Sequence, residues 1–269
     1  ECRKVLQKIE PENTVNDLIG QMEVEIEKDR NSAVGWRYLM QPWLRTPLMI
    51  AVCIMFFQQF VGINTVIYYS PKIFLMAGFE STLSAIWASV GIGIVNVVFT
   101  VISLYLVDRI GRRKLYFIGL SGIAFSVLCL SACFIYANQL GEIGRWLMVI
   151  FMFGYVAFFA ISIGPLGWLV ISEIFPQKVR GLGTSIGSLA VWIFNCIVSF
   201  TFFKIIDFFS IPGTEIVVGQ TTSENPAGAF FLYGFIAVLG LVWGYLFLPE
   251  TKGLSLEEIE QKWRKNREC

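Results

Sequence analysis

The chain has 269 residues, 55% of them hydrophobic and 15% charged, with a formal net charge of +1. Ordinary soluble domains carry about a quarter charged residues and interrupt their apolar runs. Here the runs reach the roughly 20 apolar residues that cross a bilayer, which excludes a soluble globular fold.

Residues 1–45 are polar with a helical pattern. Thr14 and Asp17 read as an N-cap pair, after which Val15, Leu18, Ile19, Met22 and Ile26 form one apolar stripe. Such a stripe suits docking on the end of a helical bundle. Its polar face carries Glu23, Glu25, Glu27 and Asp29, which anionic lipid would repel. Six spans follow, at 47–76, 83–107, 115–137, 146–170, 182–206 and 229–248. None lies at the N-terminal end, where a cleavable signal peptide would be.

The first span brings the amides of Gln58, Gln59 and Asn64 into hydrocarbon, where each is costly unless bonded. On a straight helix residues 59 and 64 would point about 140° apart, at roughly 100° per residue. A break near Gly62 would turn both toward one cavity, and unwound backbone at membrane depth is tolerated where it lines a cavity. The second span carries Asn96 and Thr100, one turn apart. The fourth carries Gly164-Pro165-Leu-Gly-Trp168, a second expected break with an aromatic after it. The fifth has Ser188, Trp192, Asn195 and Ser199 along one stripe. Amides can pair with hydroxyls, and a flat aromatic face suits the C–H surface of a sugar.

The link at 207–228 is rich in Gly, Thr, Ser and Pro and reads as an irregular loop. After Pro249-Glu-Thr-Lys-Gly253 the chain stops a helix. Ser255 and Glu258 then form a capping box for a short helix to about Arg264. Arg109, Arg112, Arg113 and Lys114 lie between the second and third spans, and Lys178 and Arg180 between the fourth and fifth. The opposite links at 77–82, 138–145 and 207–228 hold only Arg145. The positive-inside rule therefore places both termini in the cytoplasm of a multi-pass protein of the plasma or inner membrane.

Several chemistries drop out. Gly119-Leu-Ser-Gly122 matches the G-x-S-G of intramembrane serine proteases, but the chain has no histidine to serve as base. The motif then reads as small-residue helix packing. No Asn-Pro-Ala pair, arginine-periodic helix or Walker loop supports a water channel, voltage sensor or ATP-driven pump. Of the six cysteines, Cys53, Cys129, Cys133 and Cys196 lie in apolar segments, and no pair has C-x-x-C spacing, so they read as packing residues. No enzyme activity, metal, cofactor or nucleic-acid partner is expected.

Four motifs in order carry a resemblance. They are Gln58-Gln59-x4-Asn64 with Tyr68-Tyr69-Ser70; Asp108-Arg-Ile-Gly-Arg-Arg113; Gly164-Pro165-x2-Trp168-x4-Glu173-Ile-Phe-Pro176-x3-Arg180; and Pro249-Glu-Thr-Lys-Gly253. Together the chain resembles the C-terminal half of the major facilitator sugar porters, such as facilitative glucose transporters and bacterial xylose–proton symporters. The resemblance implies an all-α membrane fold, with cytoplasmic linker helices over 1–45, a six-helix half over 46–248 and a cytoplasmic tail over 249–269. It also implies that Gln58, Gln59, Asn64 and Asn96 are sugar-hydroxyl ligands and that Trp168 and Trp192 flank the sugar. Val191 departs from the family, standing where many members place an amide. Ala160 stands where facilitative glucose transporters place a glutamate.

The expected function is alternating-access carriage of a monosaccharide or polyol, with a membrane sugar receptor of the same fold as the alternative. The expected partners are the sugar, the bilayer and an absent N-terminal half, without which this half would be inactive. No acidic residue falls at mid-span, so a co-transported proton would have to be held by that other half. Asp108, Arg112, Arg113, Glu173 and Arg180 fall at cytoplasmic span ends, where opposite charges would latch the two halves together in the outward-facing state and release in the inward-facing one; the simpler reading is that the arginines only set topology.

Overall fold

The computed structural model describes residues 15, 19–20, 39–79, 81–210, 216–218, 221–253 and 256–265. A 3-10 turn at Pro42–Leu44 leads into α1 (Arg45–Phe60), α2 (Ile63–Met76), α3 (Thr82–Ile110), α4 (Arg112–Ile135), α5 (Ala137–Ile161) and α6 (Ile163–Ile174). Then come α7 (Arg180–Phe208), the strands β1 (Ile216–Val218) and β2 (Thr221–Ser223), α8 (Ala227–Phe247) and α9 (Leu256–Lys265). Six stretches, Pro42–Met76, Thr82–Ile110, Arg112–Ile135, Ala137–Ile174, Gln177–Phe208 and Ala227–Phe247, are long and apolar enough to cross a membrane. The fold is thus the expected bundle of six apolar helices.

Apolar side chains surround these helices on all faces, so burial alone does not orient them in lipid. Helix association there relies on close packing and interhelical hydrogen bonds. Helix α4 packs on both α5 and α8. Gly119 and Gly122 allow the first of these contacts, because a Cβ at either would overlap Ser162 or the Phe158 ring. Ser121, the serine of G-x-S-G, faces outward. Polar bonds secure the second contact. Tyr116 Oη donates to the Gly240 carbonyl at 3.0 Å, Ser131 Oγ to Ala227 at 2.7 Å, and Asn225 Nδ2 to Phe134 at 2.9 Å. The other main contacts join α1 to α7 and α3 to α5. α3 buries only Ala85, Ile92 and Ser103 within the described structure.

Two local readings change, and one falls outside the described residues. The link expected at 138–145 is helical: α5 starts at Ala137 and kinks at Gly141, whose φ of 54° suits a residue without Cβ. The loop expected to be irregular over 207–228 contains an antiparallel pairing of β1 and β2, with Val217 opposite Thr222. The helix expected from Thr14 lies, apart from Val15, Ile19 and Gly20, outside the described residues, as does Ser255 of the capping box. α9 buries Ile259 and Trp263, and packs against α6 and the Pro42–Leu44 turn. The Arg264 guanidinium there lies 4.4 Å from the Trp43 ring centroid. Cys53, Cys129, Cys133 and Cys196 are free thiols.

Candidate functional site

Two spans are broken at mid-depth, and their sequences explain where. In the first, α1 ends at Phe60, and Gly62, with φ +86° in the left-handed region, starts α2. Thr65 Oγ1 donates to the Gly62 carbonyl at 2.7 Å and so closes part of the gap. The second break falls at Ser162 (φ −128°, ψ −101°), two residues before the expected Gly164-Pro165. The reason is the missing N–H of Pro165. It leaves the carbonyl four residues earlier, at Ile161, without a helical donor, so the helix parts there. Gly164 and Pro165 then sit in the first turn of α6, where proline is tolerated. Ser103 Oγ supplies the lost donor to Ile161 at 2.7 Å. Pro71 in α2 is handled alike, with Ser70 Oγ donating to the Ile67 carbonyl at 3.3 Å.

Between the breaks lies a cavity of about 410 Å³. All six predicted ligands, Gln58, Gln59, Asn64, Asn96, Trp168 and Trp192, line it, contributed by five different helices. Tyr68, Thr100, Phe159 and Asn195 line it as well, with Ala160 and Val191 at its wall. Trp168 and Trp192 are 43% and 66% exposed, so their ring faces are available to a ligand.

The amides form a chain. Asn64 Nδ2 donates to Gln59 Oε1 at 2.6 Å, and Gln59 Nε2 donates to Gln58 Oε1 at 3.2 Å. Gln58 Nε2 donates to the carbonyls of Ile163 (3.1 Å) and Gly164 (2.8 Å). Gln58 therefore lines the cavity with both amide protons already committed to α6. On the far wall Thr100 Oγ1 donates to Asn96 Oδ1 at 3.3 Å. Ser199 Oγ donates to Asn195 Oδ1 at 3.0 Å, and Asn195 Nδ2 to Tyr68 Oη at 3.3 Å. Of the polar stripe on α7, Trp192 and Asn195 reach the cavity wall and Ser199 supports Asn195 from behind. Tyr68 was legible in principle, since it stands one turn after Asn64 on the same helix face.

At the basic end the expected charge cluster is partly rearranged. Arg112 pairs with Glu173 at 2.8 Å and with Asp108 at 3.3 Å. Thr251 Oγ1 donates to Glu173 Oε2 at 2.6 Å. Arg113 turns away from the carboxylates and donates to the Tyr245 carbonyl at 2.7 Å. Among the described residues Arg180 forms no ion pair with these carboxylates, and its Nε and one terminal nitrogen are buried without a hydrogen-bond partner. The residue the sequence reading overlooked is Glu250. Its two oxygens accept from the backbone N–H groups of Arg112 (3.0 Å) and Arg113 (3.2 Å) and so cap the start of α4. Every one of these contacts joins elements of this chain. The cluster binds its own helix ends together.

Comparison with known proteins gives a consistent result. A family model described as "Sugar (and other) transporter" matches residues 1–263. The glucose transporter GlcP of Staphylococcus epidermidis is 38% identical over 85% of this chain and 47% of its own length. The D-xylose-proton symporter of Escherichia coli K12 is 35% identical over 90% of this chain and 46% of its own. Among solved structures, the proton:xylose symporter XylE bound to 6-bromo-6-deoxy-D-glucose superposes with a TM-score of 0.74 at 32% identity, over 97% of this chain and 51% of that one. Its inward open conformation gives 0.66 at 30% identity, over 97% and 49%. The chain spans about half the length of the relatives it matches.

Proposed function

This chain belongs to the sugar transporter family, and we propose that it is one half of a membrane carrier that moves a monosaccharide or polyol by alternating access. The observation that carries this reading is the single cavity lined by Gln59, Asn64, Asn96, Trp168 and Trp192, which offers amides for hydroxyls and indole faces for C–H surface. The relatives' double length supports a second half closing the cavity from the other side. A second hollow of about 490 Å³ shares Pro165 and Trp168 with the first and extends to Val107 and Asp108, which suits a route toward the basic end. That end faces the cytoplasm by the positive-inside rule, with both ends of this segment on that side of a plasma or inner membrane. Among the described residues none that lines the main cavity is acidic, so in a symporter the proton would be held by the other half. The receptor alternative draws no support from relatives named as transporters and symporters.

In proteoliposomes the full-length carrier should give saturable, stereoselective sugar entry, and this chain alone should give none. Entry through the chain as a monomer overturns the two-half reading. A full-length carrier inert toward pentoses, hexoses and polyols overturns transport.

We also propose that the Arg112–Glu173 pair, with side chains 12% and 21% exposed, holds the cytoplasmic helix ends as one body in the outward-facing state. Glu173→Arg should then shift the full-length carrier toward the inward-facing state and slow the cycle, with expression and orientation intact. Reduced labelling of an engineered outer-vestibule cysteine by an impermeant thiol reagent would report the shift. Labelling equal to the parent leaves topology as the arginines' sole role.

A further inference from the structure

Each helix break exposes backbone carbonyls at a depth where the bilayer has no water to satisfy them. One is satisfied from a third helix, by Ser103 at Ile161. Two further contacts run between the breaks. Tyr155, on the outer half of the broken α5–α6 span, donates its hydroxyl to the Val61 carbonyl at the α1–α2 break, at 2.9 Å. Gln58, on α1, donates to Ile163 and Gly164 at the α5–α6 break, at 3.1 and 2.8 Å. Tyr155 thus supplies the donor to a carbonyl left open at the first break, and Gln58 adds a second bond to carbonyls in the first turn of α6 beyond the second. Both donors are closed off from solvent, Tyr155 at 0% exposed and Gln58 at 3%.

We propose that Tyr155 and Gln58 are positioning residues that form a reciprocal clamp, so that the two helix breaks rearrange together. The purpose assigned to the clamp rests on the carrier reading; its existence does not. Its location fits that purpose, since α1–α2 gives the cavity Gln59 and Asn64 while α6 gives it Gly164 and Trp168. The amide chain from Asn64 through Gln59 to Gln58 ends on the α6 carbonyls. A ligand that rebonds Asn64 therefore acts on the second break through three side chains. Tyr155 returns the constraint from the opposite direction without lining the cavity. Local staples such as Ser103 satisfy a carbonyl equally well and couple nothing between the breaks.

The test is backbone hydrogen exchange of the full-length carrier in lipid nanodiscs, followed at residues 62–66 and 163–168. Tyr155→Phe and Gln58→Leu remove donors with little change of shape. Each alone should speed exchange at both breaks by about tenfold, the scale of one buried hydrogen bond. Their double variant should exchange no faster than the faster single one, because cutting either link releases the clamp. Ser103→Ala should speed exchange only at 163–168. Fold-changes that multiply in the double variant, or single variants that each loosen only one break, overturn the clamp. Gln58→Met repeats the experiment from the other side should Tyr155→Phe fail to fold.

Transport gives an independent reading. Tyr155→Phe should lower turnover about tenfold while sugar KM stays within about twofold, a split that marks a step after binding. Unchanged turnover per folded molecule would mean a static staple and overturn the proposal. Absence of sugar uptake in the parent carrier would overturn the carrier reading, and the exchange cycle would still decide the clamp.

Discussion

Alanine at Gln59 or at Asn64 is expected to weaken sugar binding to the full-length carrier by about 1–3 kcal/mol, roughly fivefold to 150-fold in Kd. On the proposed carrier reading, each substitution would leave a sugar hydroxyl without its partner in the occluded site. The two amides are bonded to each other at 2.6 Å, so their effects should not add. The double variant should lose less than the sum of the singles. Trp192→Ala should weaken binding through lost stacking area. Its ring is 66% exposed in this half and supports little of the bundle, so the melting temperature should barely move. Titration calorimetry on the purified carrier measures all four variants. Unchanged affinity in Gln59→Ala, Asn64→Ala and Trp192→Ala together would mean that these side chains only hold helices together.

The largest loss of stability is expected from Gly62→Ala. Two penalties combine at this position. The backbone sits at φ +86°, which costs an L-residue about 1–2 kcal/mol. A Cβ there would also collide with the Tyr233 ring, and forcing an extra carbon into a packed core costs about 1–3 kcal/mol. The break itself would have to shift, carrying Asn64 away from Gln59. Thermal unfolding in detergent should show a drop of several degrees or a failure to accumulate folded protein. Adding Tyr233→Leu should recover the part due to collision and leave the part due to φ. A Gly62→Ala carrier that melts with the parent would show that the break does not depend on a left-handed residue.

The reach of the sequence can be judged residue by residue. That six helices cross a membrane was legible because hydropathy is a property of each segment by itself. The break at Gly62 was legible for a similar reason, since only a local change of direction turns residues 59 and 64 to one side. Gln58, Gln59, Asn64, Asn96, Trp168 and Trp192 stood out because amides and indoles at membrane depth need a reason to be there, and the structure gathers them at one cavity.

Other features depended on distances between helices far apart in the chain, and only the tertiary structure decided them. Pro165 announced a break and a carbonyl without its donor four residues earlier, but that Ser103 of α3 would be the side chain to bond it depended on packing. Gln58 looked like one more free amide until two α6 carbonyls, at 2.8 and 3.1 Å, took both of its protons. Glu250 read as part of a helix stop, yet it caps α4 from 138 residues away. Arg180 was expected to join the charge cluster, yet among the described residues its Nε and one terminal nitrogen bond nothing, while Thr251 takes the second carboxylate oxygen of Glu173. Apolar length and residue chemistry belong to the sequence alone. Which donor meets which carbonyl depends on helix packing, because a hydrogen bond forms or fails over a few tenths of an ångström.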